Sequence, residues 1–323
     1  MERLLLVHEH ADAWLPRLRR RFPDLEVRTC TEATVLPRLI AAFRPTIAYS
    51  CKTSGMPGPT HRPLLDAPDL VWLHVGGSGY DHLAGWEERS FVLTNSRGVL
   101  APYLAETLMG ALLALVSGLR RHLRQQEAGI WRPNPWRPLA GRTMLLIGTG
   151  AIAREVARRA RPFGVRVIGL NRTVRDLPEF DEVRPLHALR ASLAEADIVS
   201  LHLRLTAETR HLIDRSVLSA MREGTLFLNT ARGGLVDETA LVEALEQGHL
   251  AGAYLDVFEE EPLPRESLLW RLDNVILTPH AADQIADWED RFADFFMDNL
   301  ERRLDGRPLL NVVAAETAPG PSA

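Results

Sequence analysis

The sequence predicts an α/β protein with parallel sheets, divided into two domains. Apolar runs of strand length alternate with helical patterns from end to end, the signature of parallel α/β architecture. The chain has 323 residues, more than one core of ordinary size needs, which predicts the division. The strand, helix, strand repeat is most regular beyond residue 140.

In the first third the strands are "RLLLVH", "TIAYSC" and "LVWLHV", followed by "FVLTN" at 91–95, and "EATVLPRLIAAF" has helical spacing. From Pro102 to about Glu127 the chain reads as one long apolar helix with proline in its first turn, stopped by the connector "GIWRPNPWRPLAG". That helix is too short and too rich in small residues to span a membrane, so it is expected in a core or in a contact between two copies of the chain. Next come "TMLLIG", a helix, "VRVIGL", a helix from about Leu186, "DIVSLHL", a short helix near Ser216 and "TLFLNTA". A helix from Asp237, then "AGAYLDVF" and "NVILTP", complete the alternation. In the last segment Ile285, Trp288, Phe292, Phe295 and Phe296 fall at helical spacing, ending at Gly306 before Pro308. Such a helix must dock on a core.

Composition excludes several classes. With 46% hydrophobic and 25% charged residues the chain reads as an ordinary globular protein, and a net charge of -4 leaves no basic footprint for nucleic acid. The apolar run in "MERLLLVHEH" falls far short of a signal or membrane segment, so a cytoplasmic protein without membrane partners is expected. Cys30 and Cys51 are too few for a disulfide framework or a zinc site; they read as small strand residues, and no metal is expected. Among 38 Lys and Arg residues, Lys52 is the sole lysine.

Directly after "TMLLI" comes Gly148-Thr149-Gly150-Ala151-Ile152-Ala153, opening a helix. The first glycine makes a tight turn and the second lets a pyrophosphate approach the backbone. The helix N-terminus then offers unpaired N–H donors and the positive end of its dipole. Placed between strand and helix, this pattern points to a dinucleotide. The residues that read the ribose should lie about 20 positions on, at the end of the next strand. Those are Asn171, Arg172 and Thr173. A carboxylate there would accept from ribose hydroxyls and repel a 2′-phosphate. An arginine pairs with that phosphate, and Arg175 adds a second charge, so NADP(H) is expected as cofactor, with NAD(H) as the alternative.

Three further stretches place ionisable groups at ends of expected parallel strands, where open α/β sheets bind ligands. They are "NTARGGLVDETAL" with Arg232, "GAYLDVFEEEPLP" with Asp256 and Glu261, and "NVILTPHAAD" with His280. Arginine, carboxylate and histidine are what reduction of an α-keto acid needs: a cation for the carboxylate and a proton for the developing alkoxide.

With "VGGSGYDHL", "GRTMLLIGTGAIA", "LHLRLTAETRHLI" and "LWRLDNVILTPHAA" in order, the chain resembles the D-isomer-specific 2-hydroxyacid dehydrogenases of the glyoxylate/hydroxypyruvate reductase type over nearly its whole length. The resemblance implies two similar α/β domains of Rossmann or flavodoxin type with parallel sheets and an active-site cleft between them. The substrate domain would comprise 1–98 plus 284–323 and the dinucleotide domain 99–283. It further implies that Arg232 binds the substrate carboxylate, that His280 is general acid in reduction and base in oxidation, and that Glu261 orients it. Asp256 would meet the nicotinamide carboxamide, Thr230 and Ala231 would flank the nicotinamide, and the amides of Ser78 and Gly79 would bind the substrate carboxylate. A homodimer through the long helix is also implied.

Departures from the family pattern add expectations. Arg204 follows Leu203 where a proline near the cofactor ribose is common, so it is expected to join phosphate recognition. Asp283 stands where small or hydroxyl residues are usual, and is read as a cap of the final helix rather than a selector of hydroxyl- or amine-bearing substrates. Lys52, at a strand exit, is expected to assist substrate binding. The competing readings are a branched keto acid, phosphoglycerate, formate or phosphite as substrate, or a dinucleotide-sensing co-repressor without turnover. The chain's end soon after the last helix is expected to disfavour phosphoglycerate, the ending "LWRLDNVILTPH" formate and phosphite, and the absence of added tails and basic patches the co-repressor.

Overall fold

The computed structural model describes residues 2–313. The chain divides into two compact units, one made of residues up to Leu100 with those from Ala286 onward, the other of Ala101–Ile285.

The first unit contains β1 (Arg3–Val7), α1 (Leu15–Arg21), β2 (Glu26–Cys30), α2 (Leu36–Phe43), β3 (Ile47–Cys51), β4 (Trp72–Gly76) and β5 (Val92–Asn95). The strands are all parallel in the order β2-β1-β3-β4-β5. Both helices carry proline in their first turn, Pro16 and Pro37, where no N–H is lost to the ladder. Inner strands β3 and β4 are buried throughout, which is why they read as largely apolar runs with only Ser50 and His74 interrupting. The closing helix, Trp288–Leu304, lays Phe296 against Tyr49, Trp72 and His74, with ring centroids 5.1, 5.4 and 5.4 Å apart. Arg17 and Arg21 of α1 pair with Asp290, Asp294, Asp298 and Glu301 on its outer face.

The second unit contains α3 (Ala101–Ser117), α4 (Leu119–Glu127), β6 (Thr143–Ile147), α5 (Ala151–Ala160), β7 (Arg166–Asn171), β8 (Glu182–Pro185) and α6 (Leu189–Leu193). It continues with β9 (Ile198–Leu201), α7 (Arg215–Ser219), β10 (Thr225–Asn229), α8 (Glu238–Glu246), β11 (Leu250–Leu255) and β12 (Val275–Leu277). Its parallel sheet runs β8-β7-β6-β9-β10-β11-β12, the doubly wound order with the switch between β6 and β9. One face packs α3 and α5 through Leu108, Leu112, Val156 and Ala160; the other packs α6, α7 and α8 through Leu193, Leu218 and Leu241. Asp214 and Asp237 cap α7 and α8, accepting from Val217 and Ala240 N–H at 2.8 and 3.0 Å.

Three expectations are corrected. The helix after Pro102 is broken at Gly118, whose φ of +66° is left-handed and cheap only for glycine, and its halves are bent by 66°. Strands β2 and β8, absent from the sequence reading, complete the edges of the two sheets. Asp283 caps nothing: the final helix starts five residues later, with Asp287 in the cap position, and Ile285 precedes it. Among the described residues no single helix is long and apolar enough to cross a membrane.

Candidate active site

The glycine turn lies at the switch point. Gly148 leaves β6 at φ +107°, and a Cβ there would come within 2.5 Å of the His202 carbonyl that follows β9. Only glycine lets the two strand exits meet this closely. Gly150 opens α5 with no side-chain cap, and a Cβ on it would meet nothing within 4 Å. The first-turn N–H groups of Ala151 and Ile152 therefore face an open approach, which suits a pyrophosphate.

Asn171, at the end of β7, donates through Nδ2 to Thr149 Oγ1 at 2.8 Å and accepts the Arg172 N–H at 2.9 Å. It holds the end of β7 to the glycine turn, while Arg172, Thr173 and Arg175 are exposed. This strand end has a neighbour the sequence reading missed. Glu208 accepts from Thr206 Oγ1 at 2.6 Å, and its carboxyl sits below the ordinary value because of that bond, its own backbone N–H and the charge of Arg172. Arg204 belongs to the same turn, where its carbonyl accepts from Thr209 Oγ1 at 2.7 Å. Leu203 packs on the core beside it.

Past β10, Asn229 ties the next turn together. Its Oδ1 accepts from Ala231 N–H and its Nδ2 donates to the Arg232 carbonyl, both at 3.0 Å. Arg232 Nη1 donates to the Ala231 carbonyl at 2.6 Å, which fixes the guanidinium plane. Thr230 is buried, and its Oγ1 has no protein partner. An orphaned buried hydroxyl of this kind fits a ligand that completes it.

Asp256, after β11, accepts through Oδ1 from Thr278 Oγ1 and from the N–H groups of Ala281 and Ala282, at 2.9 and 3.1 Å to the latter two. Burial nevertheless pushes its carboxyl above the ordinary value. Oδ2 receives only a 3.2 Å bond from Ala282, leaving it capacity to accept from an amide. This clamp holds the turn that carries His280, which adopts φ +51°, rare outside glycine. The His280 N–H closes the turn on the Asp256 carbonyl at 2.8 Å.

The His280 Nδ1 lies 2.8 Å from Glu261 Oε2, and Glu261 Oε1 accepts the Phe258 N–H at 3.1 Å. A carboxylate can only accept, so Nδ1 carries the proton and Nε2 is left for chemistry. Burial would raise the Glu261 carboxyl, but the His280 and Phe258 bonds and the charges of His280 and Arg232 hold it below its ordinary value. Asp283 stands in the same electrostatic neighbourhood. Burial, with Asp256, lifts its carboxyl, while His280 and Arg232 pull it down.

In the first unit, Asn95 Nδ2 donates to the Ser78 carbonyl at 2.8 Å, fixing the turn after β4 in which Gly77 has φ +113°. Neither Ser78 nor Gly79 donates its N–H to a protein acceptor among the described residues. Two adjacent unpaired donors suit an anionic oxygen. Lys52 is exposed, with its stem beside Gly58 and His82. Burial, then the Lys52 charge, bring the His82 imidazole down to about 4. His82 lies inside a quoted motif, yet nothing in its spacing marks it.

One group among the described residues has metal-ligand composition, His8, His10 and Glu289. His8 Nδ1 accepts the His10 N–H at 3.0 Å, so the proton sits on Nε2, the nitrogen that faces Glu289. A protonated nitrogen offers a metal no lone pair.

The pattern of the second unit matches the D-isomer-specific 2-hydroxyacid dehydrogenase NAD-binding domain over residues 109–282. The chain is 38% identical over 246 residues to the glyoxylate reductase of Korarchaeum cryptofilum, covering 72% of this chain and 73% of the relative. The chain belongs to the D-isomer-specific 2-hydroxyacid dehydrogenase family. A glyoxylate/hydroxypyruvate reductase of Arabidopsis thaliana is 31% identical over 303 residues, 92% of this chain and 94% of that one. Among solved structures, the NADPH-dependent glyoxylate/hydroxypyruvate reductase of Sinorhizobium meliloti, in complex with NADP and sulfate, superposes with a TM-score of 0.82 at 26% identity. It covers 97% of this chain and 98% of that one. The two parallel-sheet α/β units expected from the sequence are those of this dehydrogenase family.

Proposed function

We propose that this dehydrogenase reduces small 2-keto acids of the glyoxylate or hydroxypyruvate type to the D-2-hydroxy acid, with NADPH preferred over NADH. The carrying observation is the arrangement at the carboxyl edge of the second sheet: a histidine–carboxylate pair and a fixed arginine after the adjacent strands β10, β11 and β12, with the glycine turn after β6 on the same edge. The names of the reductase relatives support the substrate class.

The residues present fit the dinucleotide: the cradle at Gly148 and Gly150, the opening turn of α5, the orphaned Thr230 hydroxyl and the open lone pair of Asp256. Leu203 and Ala231 line its path, and Arg172, Thr173 and Arg204 take the 2′-phosphate. When bound, NADPH supplies the hydride. Arg232 pairs with the substrate carboxylate and polarises the keto oxygen. His280 Nε2 delivers a proton to that oxygen as negative charge develops, and Glu261 steadies the imidazolium beforehand. The unpaired N–H groups of Ser78 and Gly79, with Lys52, are assigned to the substrate.

Initial rates with glyoxylate, hydroxypyruvate, pyruvate and a branched keto acid, each with NADPH and NADH, test the reading. Turnover of the two smallest acids is expected, and no turnover with any of the four would overturn it. Arg172→Ala should raise the KM for NADPH about 10- to 100-fold, the loss of one charge-assisted phosphate contact, and leave that for NADH unchanged. Equal effects on both cofactors would remove the 2′-phosphate assignment.

The homodimer is part of the proposal. Leu113, Leu119, Leu123, Ile130 and Trp136 are exposed along α3, α4 and the connector, and Trp131 is fully so. A second copy of the chain would bury these side chains. Wild-type protein should sediment as a dimer and Leu123→Glu with Trp131→Glu as a monomer; a monomeric wild type would overturn this. Cys30 and Cys51, both buried thiols, support the reducing cytoplasm as its location.

A further inference from the structure

The motif that carries Arg232 continues as "GGLVDETAL", and its glutamate has no part in the chemistry above. Glu238 is the first residue of α8, where a carboxylate is favoured by the helix dipole. Half-buried there, it accepts the backbone N–H of Glu259 through Oε2 at 3.1 Å. Burial, and then the carboxylates of Glu259 and Glu260, raise its carboxyl above the ordinary value. A carboxylate held in such surroundings needs its hydrogen bond.

The peptide it holds joins the two halves of the catalytic group. On one side, a Cβ at Gly233 would fall 1.9 Å from the Phe258 carbonyl carbon and oxygen and 2.5 Å from the Glu259 nitrogen. The Arg232 turn therefore rests on the 258–259 peptide bond with no side chain between. On the other side, the Phe258 N–H is the donor that holds Glu261 Oε1, whose partner oxygen holds His280. Glu259 is braced from outside by His211, Nε2 to Oε1 at 2.6 Å, and the His211 N–H returns to the Gly234 carbonyl at 2.9 Å.

We propose that Glu238 is a positioning residue of the reaction: by clamping the Glu259 N–H it sets Glu261 against His280 and seats the Arg232 turn. The assignment rests on His280 and Glu261 being the acid and its orienter. The charged groups around the imidazole are Glu261, Asp256, Asp283 and Arg232, and of these Glu261 alone is hydrogen-bonded to it. Release of the 258–261 segment therefore weakens the hydrogen-bonded one among the carboxylate contacts that favour the protonated ring.

The test uses the full-length enzyme with Glu238→Ala and Glu238→Gln, Glu261→Gln serving as reference. Glu238→Ala should lower kcat about 10- to 100-fold, the scale of a small misplacement of reacting groups, with the NADPH KM unchanged. The alkaline limb of the kcat/KM profile for reduction should also move to lower pH, in the direction of the Glu261→Gln profile. Glu238→Gln keeps an acceptor for the Glu259 N–H and should recover most of both. An NMR titration of the His280 ring in the same proteins reads the displacement without turnover. A Glu238→Ala enzyme whose profile and ring titration match wild type, or a Glu238→Gln enzyme as impaired as the alanine variant, would overturn the proposal. If instead Glu261→Gln leaves rate and profile untouched, the underlying acid/base reading fails, a result distinct from either.

Discussion

Replacing His280 by alanine should lower kcat for keto-acid reduction by about 100- to 10,000-fold, the range that a positioned general acid supplies, with little change in the NADPH KM. The hydride step creates an alkoxide, and His280 presents it a proton donor oriented by a carboxylate, whereas Asp256 is committed to the turn. Glu261→Gln is the companion variant. It keeps the shape but removes the charge beside the imidazolium, so reduction should be lost at lower pH than in the wild type, because the protonated ring is the reactive form. The carboxylate carries its own pH dependence. Its folded-state value lies below the unfolded one, so its contribution to stability is present above the ordinary range near about 4.3 and is lost as pH falls through the lowered value. Thermal unfolding between pH 3 and pH 6 should show less acid sensitivity in Glu261→Gln. A His280→Ala enzyme retaining more than about a tenth of wild-type kcat would eliminate the general-acid role.

Arg232→Lys should reduce kcat/KM for the keto acid by about 100- to 1,000-fold, acting on both constants. The charge survives this change, but two things that only guanidinium offers do not. One is the planar fork that grips a carboxylate while another N–H faces the keto oxygen; the other is the Nη1 anchor on the Ala231 carbonyl that fixes the plane. Steady-state kinetics on glyoxylate with saturating NADPH decides it. A lysine enzyme within about tenfold of wild type would mean that charge alone suffices.

The residues proposed as catalytic stand out in the sequence because each sits in a short motif after an apolar run, and parallel strands bring their carboxyl ends to one edge whatever the loops between them do. That rule singles out Arg232, Glu261 and His280 as candidates, and the resemblance to the dehydrogenase family gives each its expected role. What supports them was hidden. Asn229 and Asn95 lie in quoted motifs, but the spacing does not tell that their amides tie the turns that follow. Asp256 reads as a ligand residue, while three of its hydrogen bonds build the His280 turn, a role that depends on a reversal no periodicity encodes. The break in the long helix is not legible because glycine inside a helical pattern can be tolerated, as Gly110 is in α3; the φ of Gly118 decides, and that is a tertiary property. Strands β2 and β8 escaped for another reason. "EVRTC" and "EVRP" carry charges at every second position and lack the apolar run that marks strands buried on both faces.

Those two strands also guard the molecule against its own kind. A sheet edge is a row of unsatisfied backbone groups on which another chain's strand can add, and two open sheets have four such edges. Glu26 and Arg28 occupy one, and Glu182, Arg184 and Pro185 another, where Arg184 is locked between Glu182 and Glu195. The third, β12, is three residues long, and the fourth, β5, is covered at Thr94 by an antiparallel bridge to Val312. Charge, proline, brevity and a covering segment are each a known way to stop strand addition. A variant that made β2 or β8 read clearly as a strand, by putting valine or threonine at the charged positions, would thereby acquire an adhesive rim, and the protein would stay in solution only at the dilution its aggregation allows.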